Sequence, residues 1–192
     1  MKRITISEAQ FKRILKEEIL YHGSHANFDE FDLAYALTGW GEMAYGYGVY
    51  LSDYIDAAKE YSKGGILYTV EVPKGKYLDS DSISEKQAMD IAVKFKNYYL
   101  STEYGKSAYG GLENEFWDNE CKYIGKATYG LGLYGTISTI LGSDKNASEF
   151  LRSIGYLGIK CHAENRDTGY KFINYVIFDP KDIKIVKKEN CS

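Results

Sequence analysis

Arginines, paired cysteines and long apolar runs are scarce in this 192-residue chain, and each scarcity narrows the possible functions. Only four of the 24 basic residues are arginines, so planar, bidentate recognition of phosphate or carboxylate is available at few positions. The net charge of -3 provides no broad basic field for attachment to nucleic acid or to an anionic membrane. Nucleic acid stays open only as a locally bound substrate.

The cysteines, Cys121, Cys161 and Cys191, form no C-x-x-C pair, which indicates neither a disulfide framework nor a zinc site. We therefore expect no metal and a reduced, cytoplasmic compartment. No run of about 18 apolar residues occurs, and the N-terminus lacks the apolar segment of a secretion signal. We expect a soluble protein without a membrane partner, whose 44% hydrophobic residues suffice for one domain.

The first third of the chain alternates between helix and strand patterns. Apolar spacing predicts an amphipathic helix at residues 7–19, so that residues 1–19 form an N-terminal helix ahead of a main domain at residues 20–192. Strands are expected at "LYHGS" and "GVYLSD". Asp53 can cap a following helix at residues 54–63.

The remaining segments complete an α+β pattern. A strand at "ILYTVEVP" stops at Pro73, and Ser84 and Gln87 have the spacing of a capping box. An insertion at about residues 85–142 is expected to be loop-rich after its first helix and helical again towards its end. "SDKNASEFLRS" predicts a capped helix, and two strands flank the turn at Asp179. Strands at both ends with helices between them indicate an α+β fold.

The stretch "GEMAYGYGVYLSDYIDAAKEY", residues 41–61, combines the most flexible residues with the stiffest rings. Glycine lets a backbone approach another group closely, and tyrosine offers a flat apolar face with a polar tip. The stretch therefore suggests a loop and a strand built around a flat ligand.

Three separated pieces resemble the ADP-ribosyltransferases of the diphtheria-toxin and poly(ADP-ribose) polymerase type: "LYHGS", "GEMAYGYGVYLSDYIDAAKEY" and "INYVIFDPKDIKI". The end of the chain is also similar to transferase domains in large polyvalent proteins of bacteriophages. The resemblance implies split antiparallel sheets around an NAD cleft with flanking helices. It also implies metal-free transfer of ADP-ribose from NAD to a macromolecular acceptor, such as a host protein, in the cytoplasm of a bacterial or infected cell.

By this resemblance, His22 binds the ribose, the Gly23 backbone pairs with the nicotinamide carboxamide, and Ser24 is a nearby polar contact. A lone histidine is more often structural, so the alternative for His22 is a role in the core. His25 and His162 match no family position and are expected to be structural.

The resemblance further places Tyr50 and Tyr61 on the two sides of the nicotinamide ring. The alternative is that both belong to the core, since the chain has 19 tyrosines. Residues 39–48 would form a loop over the dinucleotide, with Gly48 close to the cofactor, or else an ordinary surface loop.

Two positions depart from the family pattern. Ala58 stands where close relatives have a serine that binds the carboxamide, which predicts NAD binding weaker by about 0.5 to 1.5 kcal/mol. Asn174 stands where the most active members have a glutamate. An amide can hold the ribose hydroxyls, but it carries no charge to stabilise a developing cation.

Glu164 or Asp167, in the loop that in the family faces the acceptor, can supply the missing carboxylate, and Arg166 can meet a phosphate. The alternative is an ordinary solvated loop. Three functions thus stay open: a transferase, an NAD or ADP-ribose binding module without turnover, and an NAD glycohydrolase. An RNA 2'-phosphotransferase of the same fold is disfavoured because it relies on several arginines.

Overall fold

A single mixed β-sheet forms the centre of the computed structural model, which describes residues 16–35 and 44–191. Its strands are β1 (Glu17–Ser24), β2 (Val49–Ser52), β3 (Ile66–Pro73), β4 (Lys76–Asp79), β5 (Tyr156–Glu164), β6 (Lys171–Ile177) and β7 (Lys184–Asn190). Within the described residues the sheet has seven strands in the order β4-β5-β6-β2-β1-β3-β7. The predicted α+β class is therefore confirmed.

The sheet narrows to one residue pair between β1 and β2. Tyr21 pairs with Ser52, whereas β1 pairs with β3 through eight residues. Beyond this pair, residues 22–24 of β1 and residues 49–51 of β2 are neighbours without ladder pairing, and we call the gap between these two segments the split. The expectation of separate antiparallel sheets was wrong in two respects: the Tyr21–Ser52 pair keeps the ladder continuous, and β4 runs parallel to β5.

The helices lie mostly between β4 and β5 in the sequence. They are α1 (Ile55–Ser62), α2 (Glu85–Ser101), α3 (Glu103–Tyr109), α4 (Glu113–Phe116), α5 (Lys122–Gly125), α6 (Gly130–Leu141) and α7 (Asp144–Ser153). The larger hydrophobic core joins α2, α6 and α7 to one face of the sheet through Val176 of β6. A smaller core contains the neighbouring Tyr175. Since successive strand residues point to opposite faces, the two cores lie on opposite sides of the sheet.

Helix starts were predicted well where a capping residue marks them. The Ser84 hydroxyl accepts a hydrogen bond from the Gln87 N–H at 3.2 Å, and the Ser143 hydroxyl accepts one from the Asn146 N–H at 3.1 Å. Each side chain satisfies one of the N–H groups that a helix end leaves without an internal partner.

The interior of the insertion was predicted less well. It was expected to be loop-rich, but α3, α4, a π-helical turn at Trp117–Cys121 and α5 occupy most of residues 103–125. Phe116 and Ile124 are fully buried in the larger core. Packing against α2 therefore stabilises short helices that the glycine-rich local sequence does not favour.

Two boundary predictions were wrong. Residues 17–19, predicted to end the first helix, pair with residues 71–73 of β3, so sheet pairing overrides their helical pattern. The rest of that helix, residues 7–15, lies outside the described residues. Asp53 does not cap α1: its carboxylate accepts the Ile173 N–H at 2.8 Å, and its own N–H donates to the Ile173 carbonyl at 3.0 Å. Asp53 thus extends the pairing of β2 with β6.

Candidate functional site

His22 lies at the split and connects β1 to β2 through its side chain. Its Nδ1 lies 2.8 Å from the Tyr50 carbonyl oxygen. A carbonyl can only accept a hydrogen bond, so Nδ1 carries the proton and Nε2 of the neutral ring is an acceptor. The rings of Phe28, Phe31 and Tyr68 surround the imidazole at centroid distances of 5.1 to 6.2 Å.

These surroundings also set the charge of His22. Burial lowers the pKa of its imidazole, and the hydrogen bond to the Tyr50 carbonyl opposes this only in part. The ring is therefore neutral near pH 7. Within the part of the chain that the structure describes, Nε2 has no hydrogen-bond partner. His22 thus presents a fixed acceptor whose tautomer is set by the backbone of β2.

Gly23 is the point where α1 rests directly on β1. A Cβ atom added there would lie 1.8 Å from the Ala58 carbonyl oxygen and 2.6 Å from the Ser62 nitrogen. Only glycine allows this approach, so the fold itself requires the glycine after His22. Ala58, which was predicted from the resemblance to replace a serine, is buried in this contact. Ser24 caps a local turn, because its hydroxyl accepts the Ala26 N–H at 3.1 Å.

The Tyr50 hydroxyl is engaged within its own loop. It donates to the Gly46 carbonyl at 2.9 Å and accepts from the Tyr45 N–H at 3.0 Å. Burial raises the pKa of this hydroxyl, so it stays protonated. The ring, rather than the hydroxyl, is the part of Tyr50 available to a ligand. Its ring packs against the larger core but is only half-buried.

Tyr61, the second predicted stacking ring, is 61% exposed on α1. The alternative of a core tyrosine is therefore wrong for this residue. Its ring is exposed to solvent on the helix that covers Gly23, where the residues in direct contact with Gly23 are Ala58 and Ser62.

Gly48 also has a neighbour within the protein. A Cβ atom there would lie 2.5 Å from the Ile177 carbonyl oxygen and 2.7 Å from Cγ1 of Val176. The predicted cofactor contact at Gly48 is thus accompanied by a packing requirement between the entry to β2 and β6. Residues 39–43 of the predicted loop lie outside the described residues.

Asn174 is a half-buried residue of β6 that pairs with Ser52 on one side and Cys161 on the other. Tyr50 precedes Ser52 by two residues and therefore shares this face of the sheet. His22 follows Tyr21, the partner of Ser52, by one residue, so its side chain lies on the opposite face, among the rings of the smaller core. No hydrogen bond from the Asn174 amide to another described residue is present, whereas Ser52 accepts the Tyr54 N–H. Burial raises the pKa of the neighbouring Cys161 thiol to about 12, which leaves Asn174 beside neutral groups.

Glu164 is not brought to Asn174. It pairs with Lys171, three positions along β6 from Asn174, and an odd separation places the two side chains on opposite faces. The expectation that Glu164 supplies the missing carboxylate beside Asn174 therefore lacks the required geometry, although the same register places Glu164 on the face of the sheet to which His22 belongs. Arg166 and Asp167 are exposed in a turn whose N–H groups bind the Asn165 side chain, in agreement with a solvated loop.

His162 has a structural partner, as expected, whereas the structural role expected for His25 stays a prediction. His162 Nε2 lies 3.0 Å from an Asp79 carboxylate oxygen, and this partner raises the pKa of the imidazole. His25 is exposed next to the β1 end. Two surface grooves have volumes of about 350 and 480 Å³; the first is lined by His162, Glu164 and Phe172 among others, and the second by Lys59 and Leu67 among others. Neither groove contains His22, Tyr50 or Asn174.

Comparisons of the chain with protein-family models, curated proteins and solved structures gave no match. Among residues 16–35 and 44–191, no group of three or more His, Cys, Asp or Glu side chains is placed to hold a metal ion. No helix in that part of the chain is long and apolar enough to cross a membrane.

Proposed function

We propose that this chain binds NAD at the split, breaks the bond between nicotinamide and ribose, and transfers ADP-ribose to a macromolecular acceptor. The observation that carries the proposal is the His22–Tyr50 hydrogen bond, which holds a neutral imidazole at the split with Nε2 as an acceptor that has no partner among the described residues. The sequence resemblance supplies the identity of the ligand.

Backbone groups of β1 support the same location. Because β1 pairs with β2 through one residue, the edge of β1 that faces β2 beyond Tyr21 has backbone groups that no ladder among the described strands satisfies, while its other edge is paired with β3. A carboxamide has one acceptor and two donors, so it matches such an edge at Gly23. The exposed Tyr61 ring and the half-buried Tyr50 ring are the candidates for contact with nicotinamide.

The proposed reaction needs no redox partner. The C–N bond between ribose and nicotinamide breaks with its electron pair going to the ring nitrogen, which becomes neutral. A nucleophile of the acceptor then forms a bond to the ribose carbon and loses its proton to solvent. Asn174 and Tyr50 lie on the face of the sheet opposite to the His22 side chain, so a ligand that reaches both has to extend through the split. There the Asn174 amide can bind the ribose hydroxyls but offers no negative charge to the cationic ribose.

A binding module without turnover is the second candidate. It is favoured by Asn174, whose strand neighbours Ser52 and Cys161 are neutral, and by the position of Glu164 on the opposite face. Such a module would hold NAD with the same residues and release no nicotinamide.

Nicotinamide release from NAD separates these functions. For the transferase we expect release by the purified protein that increases with bacterial lysate, and that falls at least about tenfold in His22→Ala because a hydrogen bond to the reacting ribose is lost. His25→Ala, an exposed histidine three residues away, is the control. The same rate of nicotinamide release with and without lysate would indicate a glycohydrolase. Absence of release by a protein that binds NAD would indicate the binding module.

A further inference from the structure

Two buried hydroxyls from the helical region bind the backbone of residues 45–47, the loop that leads into β2. Tyr134 of α6 and Ser148 of α7 are each 2% exposed. Tyr134 Oη accepts the Tyr47 N–H at 3.0 Å, and Ser148 Oγ donates to the Tyr47 carbonyl at 2.8 Å. The two side-chain oxygens lie 2.9 Å apart, and Tyr134 Oη also donates to the Asp144 carbonyl. Both polar groups of one loop residue are thus bound by helices distant in sequence.

The same loop is shaped to fit the Tyr134 ring. Gly46 has a φ of +115°, and a Cβ atom there would lie 2.8 Å from that ring. On its other side the loop is bound by Tyr50, whose hydroxyl contacts the Tyr45 N–H and the Gly46 carbonyl. The Tyr50 side chain and the helices therefore fix one short backbone segment from two directions.

We infer that Tyr134 is a positioning residue for the NAD site, an inference that rests on the proposed function. It holds residues 45–47 in the conformation that orients the Tyr50 ring at the split. This gives the helical insertion a role: α6 supplies a rigid support for the loop. A hydrogen-bond network built on buried side chains favours one conformation, and removal of the Tyr134 hydroxyl leaves the N–H of the half-buried Tyr47 without this partner.

Loss of this support has a particular kinetic signature. If the loop is correctly placed only part of the time, the apparent affinity for NAD falls by that fraction. Once NAD has bound, the loop is in place and the chemical step proceeds as before. A residue that only stabilised the fold would instead change the amount of active protein, with the affinity unchanged.

The test compares Tyr134→Phe with Tyr156→Phe. Tyr156 is also fully buried, and its hydroxyl accepts a hydrogen bond from Gln87, away from the loop. We expect Tyr134→Phe to weaken NAD binding about 2- to 10-fold by calorimetry, with kcat for nicotinamide release within about twofold of wild type. Hydrogen exchange of the Tyr47 amide should accelerate in the same variant. Tyr156→Phe should change neither the affinity for NAD nor the hydrogen exchange of the Tyr47 amide.

Ser148→Ala tests the positioning of the same loop through its other hydrogen bond. It removes the donor to the Tyr47 carbonyl, and we expect the same pattern, with an effect in the double variant smaller than the product of the single effects. Wild-type affinity in Tyr134→Phe and Ser148→Ala, or equal weakening in Tyr156→Phe, would overturn the positioning role while leaving the proposed function intact. Absence of NAD binding by the wild type would overturn both.

Discussion

Asn174→Glu is expected to release nicotinamide about 10- to 100-fold faster than the wild type, because a carboxylate at this position stabilises the positive charge that develops on the ribose. Asn174 lies on the same face of the sheet as Tyr50, beside neutral neighbours, so no described ion pair would neutralise the new charge. The measurement is the initial rate of nicotinamide release at saturating NAD.

Asn174→Gln is the matched control for this experiment. It has the length of glutamate without the charge, so it separates electrostatic stabilisation from a change in side-chain size. We expect its rate to be equal to or below that of the wild type. A similar rate in both variants would place the charge-stabilising group elsewhere and remove Asn174 from the proposed site.

Gly23→Ala is expected to lower the free energy of unfolding by about 3 kcal/mol or more, at the upper end of overpacking effects. The added methyl group would meet the backbone of α1, including the Ala58 carbonyl oxygen at 1.8 Å, and a backbone carbonyl cannot turn aside as a flexible side chain can. Either α1 moves away from β1 or the sheet distorts. Urea unfolding followed by circular dichroism measures the change.

Gly135→Ala is the control for the replacement of glycine by alanine at a position where the added methyl group meets no other atom. Gly135 lies inside α6, and a Cβ atom there would have no heavy atom within 4 Å. Alanine favours a helix interior over glycine, so this variant should be about 0.5 to 1 kcal/mol more stable than the wild type. Wild-type stability in Gly23→Ala would contradict the direct packing of α1 on β1.

Local patterns predicted the elements whose signals lie within a few residues. Helix α7 follows the capping residue Ser143, as its sequence pattern predicts, and buries Ala147, Phe150 and Leu151. The strands around Asp179 were likewise predicted, because alternation and a proline turn are local features. The position of His22 in a strand was predicted for the same reason.

Contacts between distant segments could not be predicted in this way. Nothing near Tyr134 in the sequence indicates that it binds Tyr47, 87 positions away. The separation of Glu164 from Asn174 depends on the register of β5 against β6, which fixes the face on which each side chain lies. Gly23 and Gly48 were predicted to contact a ligand, yet each also lies against the backbone of another segment of the fold.

Binding of NAD at the split is tested most directly by calorimetric titration of NAD into the wild type, His22→Asn and His25→Asn. Asparagine at position 22 retains an N–H donor for the Tyr50 carbonyl but lacks the Nε2 acceptor. We expect measurable binding by the wild type and His25→Asn, and binding about tenfold weaker in His22→Asn. No binding by the wild type, or equal affinity in all three proteins, would contradict an NAD site at His22.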